Sequence, residues 1–409
     1  MGLMVLGLLL WAPSLSAQGP NQQTPAERYT ALLTEWESRG KDCQDSYKKA
    51  KTDEERAEAV QKNPRRDVDA YIDRFLQVAE AEPKDAGARD SLLWIVETGL
   101  WADDNAQAPK GRTRRIGRAM DLLLEHHRND KKLGLACLTL VNFPSANRDK
   151  FLRAVFETTS DREVKGRTCW SLAEYLRIKA GLARDLRTPV SEDDVRFLEW
   201  RYGDYVKHLR SCDPDAMLAE SEKLCERTIQ DYGGLAYVRG TAGPATKKTL
   251  ADFAERSLNE IRHLSVGNIA PEIVGEDADG VVFRLTDYRG KVVVLTFSGS
   301  WCGPCRAMYP QERGLVERMK AKSFALLSVN TDEDKKTLQK SIEAGEVTWR
   351  CWRDGRADGP ICSSWSVYSF PTVYVLDSRG VIRFKGVDGK ALEEAVDTLM
   401  NEKWAAAKP

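Results

Sequence analysis

A chain of 409 residues is longer than one ordinary domain, so two or three domains are expected. Hydrophobic residues make up 42% and charged residues 30%, which excludes a largely disordered chain. Lys and Arg together number 62, as do Asp and Glu, so no net charge attracts nucleic acid or an anionic membrane surface.

The first residues are predicted to be a targeting segment. Leu3 to Trp11 is almost entirely apolar, Pro13 interrupts the run, and small residues up to Ala17 offer a cleavage site. The run is shorter than the roughly 20 apolar residues that a membrane span needs. We expect residues 1–17 to be a signal peptide that directs the protein to the periplasm or outside the cell, with an uncleaved membrane tether as the alternative. Residues 18–25 are polar, contain two prolines and are expected to be a linker.

Residues 26–264 are predicted to be helical almost throughout. Three stretches share one order: an apolar helix, a short turn, an aspartate suited to N-capping (Asp85, Asp130 or Asp161) and a second apolar helix. Stacked helix pairs bury a continuous core, so we predict an all-α, repeat-like array that could dock a protein partner. The basic run 110–118 is expected to be a solvated helix face.

Near Val266 strand and helix patterns begin to alternate. Asp279-Gly280 is a hairpin-turn signal, and Val292–Phe297 is a continuous run typical of a buried central strand. The later predicted elements are a helix from Cys302 to about Lys322, strand Phe324–Val329, helix Lys335–Glu343, strands Val347–Arg353, Val373–Leu376 and Val381–Phe384, and helix Lys390–Met400. This order predicts an α/β/α domain over residues 266–403 that follows the helical array.

A Cys-x-x-Cys motif, Trp301-Cys302-Gly303-Pro304-Cys305, stands where the central strand meets a helix. The helix N-terminus stabilises a thiolate on Cys302, and Cys305 lies one turn on, where it can resolve a mixed disulfide. Gly303 and Pro304 suit the first helical turn. The motif therefore predicts a thiol–disulfide exchange site in which Cys302 attacks and Cys305 resolves.

The other cysteines suggest neither a metal nor a cofactor. A zinc site would need a second ligand pair, but Cys351 and Cys362 lack Cys-x-x-Cys spacing and the four histidines lie in the helical region. Cys351 and Cys362 are expected to be buried free thiols, with a second disulfide or a redox relay as the alternative. Cys137 and Cys169 are expected in the helical core, while the pairing of Cys43, Cys212 and Cys225 stays open.

With these motifs, residues 266–400 resemble the thioredoxin-like TlpA/ResA-type thiol–disulfide oxidoreductases of the redoxin superfamily. The match rests on Ala270-Pro271, Leu285–Lys291, Trp301–Cys305 and Phe370-Pro371-Thr372. The resemblance implies a thioredoxin-like fold in which Pro371 follows a cis peptide bond and packs against a redox-active Cys302–Cys305 disulfide. It also implies that Phe370 offers backbone hydrogen bonds to a bound peptide.

The chain departs from this family where a carboxylate would handle the proton of the resolving thiol. Met308 stands at the glutamate position of TlpA/ResA-type proteins, and Thr296 at the buried aspartate position of thioredoxins. We expect solvent to carry the proton, or exchange to be slow. Glu312 is the alternative carrier, although Pro310 intervenes.

The function predicted is an exported thiol–disulfide oxidoreductase that reduces protein disulfides. Its electrons would come from another protein, because no nucleotide-binding fingerprint is visible. One alternative is a helical scaffold or assembly protein with a weakly active thioredoxin-like module. The other is a thiol peroxidase, but Gly299 stands where the peroxidase loop has threonine.

Overall fold

The computed structural model of the chain describes residues 23–99, 111–187, 192–238 and 245–402. The predicted signal peptide, residues 1–17, lies outside these ranges. The described chain divides into two compact units, the first formed by residues 23–99 and 111–127 and the second by the described residues from 128 onwards. No helix within the described ranges is long and apolar enough to cross a membrane.

The first unit is all-α, and a capping box on Thr24 starts its first helix at Pro25, the last residue of the predicted linker. Its helices are α1 (Pro25–Lys49), α2 (Asp53–Gln61), α3 (Val68–Ala81), α4 (Ala86–Gly99) and α5 (Arg112–His126). The core contains an aromatic cluster in which Trp94 packs against Trp36 and Phe75, with ring centroids 5.1 and 4.2 Å apart. These contacts join α1, α3 and α4.

The expectation of a solvated basic face on α5 is wrong for Arg112 and Arg115, whereas Arg114 and Arg118 are exposed and Lys110 lies outside the described residues. Arg112 is only 8% exposed and is ion-paired with Asp69 of α3. Arg115 pairs with the same carboxylate, and Arg118 lies 3.1 Å from Glu80. The run alone could not reveal these partners, because they lie on a helix more than 30 residues earlier in the chain.

The second unit begins with helices that carry two of the three predicted capping aspartates, while Asp85 accepts from the N–H of Gly87 in the first unit. Asp130 accepts a hydrogen bond from the N–H of Lys132 at the start of α6, and Asp161 accepts from Val164 at the start of α8. The helices are α6 (Lys131–Cys137), α7 (Ala146–Thr158), α8 (Arg162–Arg187), α9 (Glu192–Tyr202), α10 (Tyr205–Ser211), α11 (Pro214–Arg227) and α12 (Leu250–His263). The predicted pair formed by α5 and α6 is divided between the two units.

An antiparallel hairpin, β1 (Ala236–Val238) with β2 (Ala245–Thr249), interrupts the region predicted as helical. Its Tyr237 ring stacks on Phe253 of α12 at 4.0 Å and meets Trp170 of α8 edge-on at 5.3 Å. Such aromatic contacts stabilise the hairpin through tertiary packing. The two short strands have no comparable signal in the sequence itself.

The rest of the second unit is the predicted α/β/α domain. Its elements are β3 (Val274–Glu276), β4 (Val282–Arg284), β5 (Val292–Ser298), α13 (Gly303–Met319), β6 (Phe324–Asn330), α14 (Lys335–Glu343), β7 (Arg350–Arg353), α15 (Pro360–Ser364), β8 (Thr372–Leu376), β9 (Ile382–Lys385) and α16 (Gly389–Asn401). The five-stranded sheet has the order β7-β6-β5-β8-β9; β5, β6 and β7 are parallel, while β8 and β9 are antiparallel to their neighbours. The fold class predicted from the sequence is confirmed.

Strand β5 lies at the centre of this sheet, and all seven of its residues are buried. One face of the sheet packs on α13, α14 and α16, and the other packs on the β3–β4 hairpin, α15 and the end of α12. The turn of the hairpin uses Gly280 at φ +84°, as the Asp-Gly signal predicted. The Cys-x-x-Cys motif therefore lies just after the end of the central strand, at one edge of the packed core.

Candidate functional site

The two motif cysteines lie at the junction of β5 and α13. Cys302 is the N-cap of α13, and its Sγ is bonded to that of Cys305 at 2.04 Å. The backbone N–H of Cys305 donates a hydrogen bond to Cys302 Sγ over 3.1 Å. Because this N–H and the helix dipole both favour negative charge, a thiolate on Cys302 would be stabilised after reduction.

The first turn of α13 leaves space in front of the dithiol. Pro304 stands in this turn, where it loses no needed N–H, and a side chain at Gly303 would meet no atom within 4 Å. Cys302 is 4% exposed and Cys305 only 2%. Both motif cysteines are therefore buried in the oxidised protein.

Trp301 is the exposed wall of the site, with 56% of its surface accessible. Its Nε1 donates to Thr331 Oγ1 over 3.2 Å, and that hydroxyl donates to the carbonyl of Ser298 over 2.9 Å. A Cβ at Gly299 would clash with the Trp301 indole and with Thr331 Oγ1. The threonine of a peroxidase loop has no room at this position.

The turn before the dithiol is held by a buried carboxylate that sequence analysis missed. Asp332 accepts from the N–H and Oγ of Ser300, over 2.8 and 2.7 Å, and from Asn330 Nδ2 over 2.8 Å. All three bonds are charge-assisted. Asp332 thereby holds the backbone of the turn immediately before Trp301. This role becomes visible only because β5 and β6 are neighbours in the sheet.

The Phe370-Pro371 motif lies against the dithiol motif. The peptide bond between its two residues is cis. The Phe370 ring meets the Trp301 ring edge-on, with centroids 5.1 Å apart. The structure therefore brings together the two motifs that the sequence placed almost 70 residues apart.

One buried carboxyl group lies on the inner face of α13. Three buried residues with polar or ionisable side chains lie along this face: Cys305, Tyr309 and Glu312. Glu312 is 3% exposed. Burial raises the pKa of Glu312 to about 8, and no described residue forms an ion pair or hydrogen bond with it. Pro310 does not break the helix between the dithiol and this group.

The two positions at which related proteins carry a carboxylate are occupied here by one apolar and one neutral polar residue. Met308 packs against the core formed with α16, and Thr296 Oγ1 is buried without a hydrogen-bond partner. Burial chiefly raises the pKa of Tyr309 and of Cys351 to about 12 each, and the nearby Glu312 charge adds to both shifts. Glu312 is thus the acidic group of this buried neighbourhood, with Asp332 at its edge.

The remaining cysteines are free thiols in the structure, including Cys137 and Cys169 in the helical core. Cys351 and Cys362 belong to the cores on opposite faces of the sheet. They are therefore not placed to pair with each other. Within the described ranges, no group of three or more His, Cys, Asp or Glu side chains could hold a metal ion.

Residues 266–385 match the AhpC/TSA family. The thiol–disulfide oxidoreductase ResA of Geobacillus thermodenitrificans is 33% identical over 133 residues, which are 32% of this chain and 75% of the relative. ResA of Bacillus subtilis is 28% identical over 138 residues, 34% of this chain and 75% of the relative. The thioredoxin domain of a thiol–disulfide oxidoreductase from Bacteroides vulgatus is a similar solved structure, 28% identical with a TM-score of 0.32, covering 34% of this chain and 99% of that chain.

Proposed function

The chain belongs to the ResA-type thiol–disulfide oxidoreductases of the AhpC/TSA family, and we propose that it reduces protein disulfides through Cys302 and Cys305. The observation that carries this proposal is the Cys302–Cys305 disulfide at the N-terminus of α13, with the cis Phe370–Pro371 motif beside it. Phe370 and Pro371 would hold the substrate peptide, and Trp301, Gly303 and Pro304 would shape its approach to the sulfur atoms.

In the reduced protein, the Cys302 thiolate attacks one sulfur of a substrate disulfide. That bond breaks, the other substrate sulfur leaves as a thiolate and takes a proton from water, and a mixed disulfide with Cys302 forms. Cys305 then loses its proton and attacks Cys302 Sγ. This step releases the second substrate thiolate and closes the Cys302–Cys305 disulfide, so two electrons pass from the dithiol to the substrate.

Glu312 supports a proton route for the second step. Cys305 and Glu312 lie on the same buried face of α13, two helical turns or about 10 Å of rise apart, and helical side chains tilt towards the N-terminus. The pKa of Glu312, about 8, lies well above that of an ordinary carboxyl group and nearer to that of a thiol, which makes Glu312 a better proton acceptor than an exposed carboxylate. We propose that Glu312 takes the Cys305 proton, in place of the solvent favoured by sequence analysis.

The direction of electron flow is proposed from the residues between the cysteines. Gly303-Pro304 matches the pair in thioredoxin, whose potential is about −270 mV, so we expect a similar value for Cys302–Cys305. Equilibration with thiol buffers, followed by alkylation and mass spectrometry, measures this potential. A value near −120 mV would instead identify an oxidant.

We also propose that the protein acts outside the cytoplasm, directed there by residues 1–17, and that another protein returns electrons to its dithiol. The apolar run Leu3–Trp11 and the small residues up to Ala17 support this location. The helical region would position the protein partner.

A trapping experiment tests the function. The Cys305→Ser variant should accumulate mixed disulfides with exported proteins through Cys302, because the resolving thiol is gone. These adducts should disappear on reduction, and the Cys302→Ser/Cys305→Ser double variant is the control. If the single variant forms no more disulfide-linked adducts than the double variant, the oxidoreductase proposal is wrong.

A further inference from the structure

A cavity of about 430 Å³ opens beside the cis-proline motif, within the second unit. Its walls come from α8, α12 and the loop that leads into Phe370–Pro371, and its lining includes Ser369 and Thr372 on either side of that pair. Asn259 of α12 donates from Nδ2 to the Ser364 carbonyl over 2.9 Å and to Ser366 Oγ over 2.8 Å. These bonds join the helix to the loop, so the cavity is a built part of the fold.

The two carboxylates in the cavity wall are already neutralised. Glu174 lies 2.6 Å from Arg177 and accepts from Ser257 Oγ over 2.8 Å. Glu260 is ion-paired with Lys385. Each acidic group therefore already has a cation in direct contact.

Arg256 is the cation of this wall that forms no ion pair or hydrogen bond with a described residue, although the charges of Glu174 and Glu260 act on it from a distance. Its guanidinium lies 3.4 Å from the centroid of the Tyr368 ring, and its buried Nε makes no hydrogen bond. Burial lowers the pKa of the Arg256 guanidinium, and the nearby charges of Glu174 and Glu260 offset this only in part.

Two further observations point to an anionic occupant. Lys248 places a second ammonium 5.3 Å from the same Tyr368 ring, and its charge also interacts with Asp252. The indole N–H of Trp170, on a residue only 4% exposed, is another buried donor with no hydrogen-bond partner. A half-buried cation and a buried donor without acceptors are costly until an acceptor with negative charge approaches.

We propose that this cavity binds an aspartate or glutamate side chain of the substrate, near the cysteine that reacts with Cys302, and that Arg256 determines this specificity. The inference rests on the proposed function and names its substrate class. A substrate chain held by the Phe370-Pro371 motif must pass Ser369 or Thr372 as it leaves, so a nearby residue can place its carboxylate against Arg256. In this role Arg256 binds the carboxylate of the substrate and takes no part in the reaction of the sulfur atoms.

The test compares disulfide-bonded peptides, acetylated and amidated at their ends, that carry Glu, Gln or Lys at each of several positions near the cysteine. For one or more positions, the wild-type protein should reduce the Glu peptide about tenfold better in kcat/KM than the Gln peptide, mainly through KM. Arg256→Gln should remove that preference, and Arg256→Lys should retain part of it. Arg262→Gln is the matched control on the same helix, because Arg262 pairs with Glu222 and Glu226 outside the cavity.

Turnover of a small disulfide such as oxidised glutathione by the wild type reports on the proposed function separately. If the protein turns over no disulfide, calorimetric binding of the Glu and Gln peptides to the Cys302→Ser/Cys305→Ser protein still tests the cavity. Equal handling of the Glu and Gln peptides at every position, or a preference that survives Arg256→Gln, overturns the inference. A preference that appears only for peptides with a free C-terminal carboxylate also overturns it.

Discussion

Replacing Cys302 by serine is expected to lower the rate of protein disulfide reduction by on the order of a thousandfold or more, because the attacking thiolate is lost. Replacing Cys137 by alanine should leave that rate within about twofold, since this thiol is buried in the helical core. Reduction of a protein disulfide by a thiol donor, followed spectroscopically, measures both rates. A Cys302→Ser protein with appreciable activity would place the nucleophile elsewhere.

The physical reason is the selective ionisation of Cys302 among the cysteines. Burial raises the pKa of Cys137, Cys225 and Cys351 to about 12, and that of Cys169 to about 11, so none of them forms appreciable thiolate at neutral pH. Cys302 instead stands at a helix N-terminus with an N–H directed at its sulfur.

Alkylation of the reduced protein checks this selectivity directly. Brief treatment with iodoacetamide at neutral pH, followed by peptide mapping, should label Cys302 well before the five buried free thiols, which include Cys362. The half-buried Cys43 and Cys212 are best replaced by serine in the background protein, because their accessibility would give independent labelling. Equal labelling of Cys302 and Cys351 would contradict the proposed activation.

The sequence predicted the central part of the site because its signals are local. The buried run of β5, the Cys-x-x-Cys motif and the proline of the first helical turn are adjacent in the chain, and each restricts the backbone by itself. The Phe370-Pro371 motif was located by resemblance alone. Its contact with Trp301 depends on β8 pairing with β5, which no local pattern specifies.

What sequence analysis missed depends on tertiary environment. Asp332 and Glu312 are ordinary acidic residues in the sequence, and only the packed sheet and α13 reveal that both are buried. The sequence predicts that Arg112 is exposed, because its partner Asp69 lies on another helix. A charged residue shows its type in the sequence, whereas its burial and its partner are properties of the fold.

Glu312→Gln is expected to change the pH dependence of stability by on the order of 4 kcal/mol. The folded wild type retains a proton on Glu312 up to a pKa of about 8, whereas the unfolded chain releases it near the ordinary value of 4.5. Wild-type stability therefore falls as the pH rises from about 4.5 to about 8, and the glutamine variant lacks this loss. Urea unfolding of the oxidised proteins at pH 5 and pH 9 measures the difference.

The same substitution should slow disulfide exchange at neutral pH by about a hundredfold, because Cys305 loses its proton acceptor. The wild-type rate should rise with pH up to about 8 as Glu312 ionises, and the variant should lack this step. The Glu312 charge acts on Tyr309 of the same helix and on Cys351 of β7, and burial is the one cause of its own raised pKa.

Two further variants separate proton transfer from packing. Glu317→Gln, on the exposed side of α13, should change neither the stability profile nor the rate. Met308→Glu in the Glu312→Gln background restores a carboxylate one turn nearer to Cys305, and should recover part of the rate while the protein keeps glutamine at 312. A rate that falls in Glu312→Gln and is not recovered by Met308→Glu, with an unchanged pH profile, would show that Glu312 acts through packing and that solvent carries the proton.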